Sequence, residues 1–184
     1  MASPWALPEQ LRLRLRLATI DEAQATDTIA GAEAVIRAAL NQTIDEVAGD
    51  ELVLVGNGRR LLNLPEMPVT AVTSVTVGGV LLVDGVGYRW NRYGNLTRLG
   101  YDACWTLDED VEVICTHGYP VAPAAVVQVC LQLAARAWVA PKEAVAAESL
   151  GDYSVTYDKQ RTGQALTDFE MGMLERYAIG PASR

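Results

Sequence analysis

Histidine, lysine and cysteine are scarce in this chain, and each scarcity removes a class of function. One histidine cannot complete a Cys/His zinc set of the usual spacing. Cys104, Cys115 and Cys130 are odd in number and lack C-x-x-C spacing. They read as reduced thiols in a cytosolic protein rather than as a disulfide framework. Lys142 and Lys159 are the only lysines; every other basic residue is arginine. There is no G-x-x-x-x-G-K phosphate loop, and Gly85-Val86-Gly87 lacks a third glycine at the needed place. No serine stands in a G-x-S-x-G elbow. Leu11 to Leu17 alternates Leu with Arg, so no signal peptide is expected at the N-terminus. The longest apolar helix pattern falls short of the roughly 20 residues that a membrane span requires and carries an arginine.

What the chain does have is apolar bulk and diffuse acidity. Its 184 residues are 50% hydrophobic, which fits one globular domain, or one domain with an insertion. Net charge is −8. Acidic residues outnumber basic ones by eight to four in 1–50, eight to five in 51–117 and seven to six in 118–184. The acidity therefore forms no tail or block. Such a surface repels phosphates, which argues against a reader of DNA sequence.

The stretch Pro123 to Ala140 organises the pattern. Read as a helix, its non-apolar side chains are Gln128, Gln132 and Arg136, four apart and so aligned as one narrow polar stripe. A helix apolar on nearly every side needs protein around it. The spacing thus predicts a central core helix, with the stripe as a subunit contact or channel lining.

On the N-terminal side, Pro8 to Leu17 alternates like a strand but opens like a helix, and a short helix is the preferred reading. Thr19-Ile20-Asp21-Glu22 reads as a capping box for a helix running to about Leu40 or Thr43, with Ile29, Ala32, Val35, Ile36, Ala39 and Leu40 on its apolar side. From Glu51 the period changes to two. Leu52–Val55 and Arg60–Leu64 flank Gly56-Asn57-Gly58 as a hairpin. Val69 to Val77 alternates, with Val69, Ala71, Thr73, Val75 and Val77 on one face. Turns at Gly78-Gly79, Asp84 to Gly87 and Tyr93 to Asn95 separate further short strands. Val111–His117 closes the series, with Val111, Val113, Cys115 and His117 on one side. Together these predict an antiparallel β meander. Lys142 to Gly163 is irregular, with a strand at Tyr153–Tyr157. Thr167-Asp168-Phe169-Glu170 is a second capping box, and Phe169, Met173, Leu174 and Tyr177 make one face of a last helix.

Few residues invite chemistry. His117 is the one candidate base of its type and reads as a hydrogen-bonded strand-end residue. Asp108, Glu109, Asp110 and Glu112 lack the spacing of a calcium loop and read as a solvated hairpin end. Arg59, Arg60, Arg89, Arg92 and Arg98, with Tyr88, Trp90 and Tyr93, imitate a surface for stacking single-stranded nucleic acid or carbohydrate. That Trp90/Tyr93 module is the alternative from another functional class. No catalytic, cofactor or metal residues emerge.

An ordered set of segments carries a resemblance. It comprises AEAVIRAAL (32–40), LPEMPVTAVTSVTVGG (64–79), YRW (88–90), VEVICTHGYPVAP (111–123), LQLAARAW (131–138), ESLGDYSVTY (148–157) and LTDFEMGMLERY (166–177). THGY before an Ala-rich helix, followed by GDYSV, is its most specific part. The chain resembles the head-to-tail connector (adaptor, or head-completion) proteins of tailed bacteriophages. The resemblance implies a non-enzymatic virion protein of the head–tail neck, made in the host cytoplasm. It implies a ring, usually dodecameric, mounted on the portal protein. That ring extends the DNA channel and docks the stopper or tail-completion protein, with no membrane partner and no cofactor.

The expected fold is α+β, an antiparallel bundle of about four helices with an inserted β meander. Residues 1–50 are the N-terminal helices, 51–117 the insertion, and 118–184 the central helix, projecting loop and C-terminal helix. Expected interface residues are Glu148, Ser149, Leu150, Gly151, Asp152 and Tyr153 in the loop, Tyr177 and Arg184 at the C-terminus, and Gln128, Gln132 and Arg136 on the stripe.

Overall fold

Proline in the first turn and a left-handed residue just past the last bound the opening helix. In this computed structural model, which describes residues 4–139, 147–150, 153–156 and 165–179, that helix is α1 (Pro8–Leu15), followed by α2 (Glu22–Leu40). Seven strands come next: β1 (Val47–Val55), β2 (Leu61–Asn63), β3 (Val69–Val77), β4 (Val80–Leu81), β5 (Tyr88–Trp90), β6 (Asn95–Arg98) and β7 (Asp110–His117). Then follow α3 (Ala124–Val139), β8 (Ala147–Leu150), β9 (Tyr153–Thr156), α4 (Asp168–Leu174) and a 3-10 turn, Glu175–Tyr177. The architecture is α+β with antiparallel sheets. The chain divides into two compact units, Met1–Leu40 with Ala122–Ala178 and Asn41–Val121 with Ile179–Arg184.

In the first unit, α3 packs against α1, α2 and α4. Its Val126, Val129, Cys130, Leu131, Leu133 and Ala134 are buried, as the nearly all-apolar pattern requires. The Leu/Arg alternation of α1 forms a helix with only Leu11 buried. Pro8 sits where a missing N–H costs nothing, Gln10 accepts from the Leu7 N–H at 2.8 Å, and Arg16 adopts φ 56° at the end. For α2 the cap lies two residues later than expected. Asp21, not Thr19, accepts from the Gln24 N–H at 2.9 Å, and a carboxylate there also meets the positive helix end. Ala25, Ile29, Ala32, Ile36 and Leu40 line the buried side, together with Glu33.

The second unit departs from a meander. Its four-stranded sheet runs β1-β7-β3-β4, so the last strand in sequence lies inside, and a separate sheet runs β2-β6-β5. The expected hairpin at Gly56-Asn57-Gly58 does not form. β1 pairs with β7 and β2 with β6. The reason lies in the segment 105–109. The Gly56 N–H donates to the Glu109 carbonyl at 2.8 Å, and the Gly58 N–H to the Trp105 carbonyl at 2.8 Å. The glycines thus lead the chain from one sheet to the other along this segment. A Cβ at Gly56 would collide with the Thr106 carbonyl.

Alternation in β3 is also interrupted. Register shifts fall between Val69 and Ala71 and between Val72 and Ser74. Each bulge moves the phase, so Val72 packs on the core with Val69, Val75 and Val77, while Ala71 and Thr73 are exposed. β7 behaves as expected: Val111, Val113, Cys115 and His117 are buried. Around them gather Leu62, Leu64, Tyr88, Leu96 and Trp105, with the Trp105 indole N–H donating to the Leu96 carbonyl at 3.3 Å.

Gly56→Ala is expected to lower unfolding stability by about 1–3 kcal/mol through forced displacement of the crossing segment. Val53→Ala, on a residue 66% exposed, is expected to change it by less than about 0.5 kcal/mol. Urea titration compares the two.

Candidate functional site

The polar stripe of α3 is not uniform. Gln128 is exposed and Gln132 half-buried. Arg136 turns within the unit and clasps Glu170 of α4 with two hydrogen bonds of 2.5 and 2.9 Å. It also donates to the Ala165 carbonyl at 3.1 Å. Arg136 is thus a brace between α3 and α4 rather than a free surface group, while Gln128 remains available to a neighbour. Glu170 also completes the expected capping box. Its N–H donates to the Thr167 hydroxyl at 3.3 Å, and its carboxylate accepts from the Thr167 N–H at 2.9 Å. Burial works to raise the Glu170 carboxyl, but the hydrogen bonds from Arg136 and Thr167 outweigh it, and the group lies below its ordinary value of 4.5.

A second buried acid was missed by sequence reasoning. Glu33 accepts from the Trp5 backbone N–H at 2.7 Å and pairs with Arg37 at 3.0 Å. The Arg37 guanidinium lies 4.2 Å over the Trp5 ring. This pins the N-terminal segment to α2. The one available signal was the Glu-x-x-x-Arg spacing.

On α4 the expected apolar face is corrected. Glu170 and Leu174 point inward, Met173 and Tyr177 are half-buried, and Phe169 is 73% exposed. Phe169 sits one position before Glu170, and the capping box fixes the helix phase on Glu170. Beside Leu174 lies an apolar pocket of about 300 Å³, lined by Leu40, Met171, Gly172, Leu174, Glu175 and Ala178.

Between α3 and α4 the chain forms a two-stranded sheet. β8 pairs antiparallel with β9, from Ala147↔Thr156 to Leu150↔Tyr153. Sequence reasoning gave one strand here and missed its partner. Glu148, Ser149, Leu150 and Tyr153 stand on these strands. Gly151, Asp152 and Arg184 lie outside the described residues.

In the sheet unit, His117 is 1% exposed, and its Nε2 lies 3.0 Å from Asp50 Oδ2. Gly118 adopts φ 87°, and a Cβ there would collide with the Asp45 carbonyl. The Tyr119 N–H donates to the Ile44 carbonyl at 2.8 Å. The Thr-His-Gly-Tyr stretch is therefore a junction tying the end of β7 to the chain entering β1. Burial pushes the Cys115 thiol up to about 11, with Asp50 and Glu66 adding to it. Burial likewise pushes Cys130 up to about 12. Both stay protonated, unreactive thiols at neutral pH.

The arginine and aromatic surface is assembled only in part: Arg59, Arg89, Arg92 and Tyr93 are exposed, and Arg92 lies 5.9 Å over the Tyr93 ring. Tyr88 is buried and Trp90 packs on the core. Arg60 donates to the Arg98 and Gly100 carbonyls at 3.1 and 2.8 Å, and Arg98 to the Gly87 carbonyl at 2.7 Å. Only Tyr93 of the three aromatics is freely exposed, at 68%. An open groove of about 580 Å³ does exist nearby, lined by Pro68, Val69, Thr70, Trp90, Arg92, Gly118, Tyr119 and Pro120. Asp108 and Glu109 turn the chain into β7 and meet Gly56 through their backbone.

No family model and no curated protein matches the chain. Solved structures do share its fold. A chain in the virion of a native gene transfer agent (GTA) particle superimposes with a TM-score of 0.64 at 19% identity, over 98% of this chain and 93% of that one. One in the neck of an empty GTA particle, computed with C6 symmetry, gives 0.61 at 20% identity, over 96% and 90%. One in the neck of a native GTA particle, computed with C12 symmetry, gives 0.57 at 18% identity, over 98% and 92%. The likeness is one of fold, and it spans both chains nearly end to end.

The Arg136–Glu170 brace has a pH signature. The folded carboxyl is held below 4.5, so its stabilisation is complete above the unfolded value and is lost as pH falls through the lowered folded value. Glu170→Gln is expected to flatten the stability profile of the helical unit below about pH 4.5, as followed by circular dichroism. Arg136→Met, which strands a buried carboxylate, is expected to cost roughly 3–5 kcal/mol at neutral pH.

Proposed function

We propose that this chain is a structural neck protein of a phage-like particle. It is a head-to-tail connector whose copies form a ring on the portal protein, extend the DNA channel and dock the stopper or tail-completion protein. The observation that carries this reading is the near end-to-end fold likeness to chains of particle necks computed with sixfold and twelvefold symmetry. The ordered segments from AEAVIRAAL to LTDFEMGMLERY point the same way. A ring built from one chain uses head-to-tail contacts that close, and chains of this fold occur where such closure is needed.

The physical character of the chain suits the role. Its net charge of −8 is spread over every part of the sequence. Repeated around a bore, it repels the DNA backbone, so the genome slides through without sticking. The polar residues with the strongest local engagement, His117, Arg136, Glu33 and Glu170, are tied to neighbours within the fold. That suits scaffolding better than turnover.

Contacts with the portal and the next neck protein fall to the β8–β9 hairpin and the C-terminal region around Tyr177. A two-stranded hairpin is only marginally stable alone, so a partner surface that completes it gains specificity as well as area. Gln128 of α3 is a further contact between copies.

Added to DNA-filled heads lacking tails, the purified chain is expected to appear in electron microscopy as a ring at the portal vertex and to restore tail joining. Replacing residues 147–156 by a short Gly-Ser linker is expected to abolish attachment while leaving the helical circular dichroism unchanged. Heads that join tails equally well without the chain overturn the reading.

A further inference from the structure

The four-stranded sheet ends on β1, and the outer edge of β1 is open. The phase of the ladder shows which groups lie there. The Gly56 N–H donates to the Glu109 carbonyl at 2.8 Å, and the Gly78 N–H to the Asp110 carbonyl at 3.5 Å. In an antiparallel ladder, opposed residues that exchange hydrogen bonds alternate with opposed residues that do not. Carried along the unshifted register from Val55↔Asp110 to Asp50↔Cys115, that phase aims the backbone of Leu52 and Leu54 at β7. The N–H and C=O of Glu51, Val53 and Val55 therefore point away from β7. Among the described residues no strand pairs with this edge. The side chains stand clear as well: Val53 is 66% and Val55 59% exposed, and Glu51 is exposed.

Natural sheets protect such an edge with lysine, proline, a bulge or brevity. β1 is nine residues long, and no lysine or proline stands between Val47 and Asn63. Its one irregularity falls between Val47 and Asp50, which leaves 51–55 regular. What flanks the edge is acid. Side chains directly opposite across strands share a sheet face. The pairs Val53↔Glu112, Val55↔Asp110 and Glu51↔Ile114 thus put Glu51, Asp110 and Glu112 on one face with the two valines. All three acids are exposed, and among the described residues none of them forms an ion pair. On the other face Leu52 and Leu54 pack on the core.

We propose that the outer edge of β1 is a docking site for an extended segment of a partner protein, added to the sheet as a further strand, whose side chains alternate arginine or lysine with apolar residues. Backbone pairing with Glu51, Val53 and Val55 supplies the affinity. The two faces of the edge dictate the alternation. On one face, the long stem of an arginine or lysine covers Val53 and Val55 while its charged head reaches Glu51, Asp110 and Glu112. On the other, apolar side chains of the incoming strand continue the layer of Leu52 and Leu54. An acidic strand is turned away, because like charges opposed across a sheet repel. The site belongs to the sheet unit alone and stands whether or not the chain sits in a particle neck.

Amide hydrogen exchange of the full chain, followed by nuclear magnetic resonance, tests this with acetyl-TRVRVRT-amide as the probe and acetyl-TEVEVET-amide as its acidic counterpart. In the free chain the amides of Glu51, Val53 and Val55 are expected to exchange at least about tenfold faster than those of Leu52 and Leu54. A saturating basic probe is expected to slow the first three by about tenfold or more. The acidic peptide, and the basic probe N-methylated along its pairing edge, are expected to bind at least about tenfold more weakly. Val53→Pro removes one outward N–H where an edge strand tolerates proline, and is expected to weaken binding by about tenfold. Glu51→Arg, on an exposed residue, keeps the fold and is expected to narrow the preference between the two peptides. Slow exchange of Glu51, Val53 and Val55 in the free chain overturns the proposal: a second copy covers the edge if the slowing grows with protein concentration, and a segment of the same chain if it does not. Equal affinity for the two peptides, protection confined to other amides, or no binding of the basic probe overturns it as well.

Discussion

A helix that is apolar on nearly every side cannot be left in water, and α3 imposes that condition on the whole helical unit. Three helices, α1, α2 and α4, pack against it. Their own sequences are unequal to the task in isolation: α1 buries a single leucine, and α4 has seven residues, too few to be stable alone. Each exists because α3 offers it an apolar wall. One polar group then fixes the arrangement. Arg136 holds Glu170 across the α3–α4 contact, and Glu170 in turn caps its own helix through Thr167. A single carboxylate thus sets both where α4 begins and how it is rotated. That rotation turns Phe169 outward.

The helices were largely legible in the sequence because their signals are local. Proline at the start of α1, Thr167 three residues before Glu170, and the apolar run of α3 each act within one or two turns. β7 was legible for the same reason, since strict alternation from Val111 to His117 needs no knowledge of a partner. Strand pairing was not. Gly56-Asn57-Gly58 is a sound hairpin signal, yet its amide groups found carbonyls fifty residues away in the 105–109 segment. Long-range competition of that kind leaves no local trace. The bulges of β3 were hidden likewise, because a register shift depends on the strand opposite.

The candidate surfaces divide along the same line. The stripe Gln128, Gln132 and Arg136 was read from spacing alone. Spacing cannot distinguish an arginine that faces a neighbouring molecule from one that reaches a glutamate thirty-four positions on. Phe169 was placed inside by its apolar character, whereas the capping geometry put Glu170 there and left the ring outside. A buried acid with two partners outranks a phenylalanine for an inward position, because a stranded donor or acceptor costs more than an exposed ring. The hairpin at 147–156 was half visible, since its first strand, Ala-Glu-Ser-Leu, lacks the β-branched and aromatic residues that mark strands.

The position of β7 between β1 and β3 has a consequence for synthesis on the ribosome. Among the described residues β1 pairs with no other strand, and β7 emerges some fifty-five residues after β1 ends. Throughout that interval the backbone of Val47 to Val55 is unpaired, with Val53 and Val55 among its side chains. Contacts between such distant segments form late in folding. A polypeptide cut short before His117 therefore carries an open edge instead of a finished sheet.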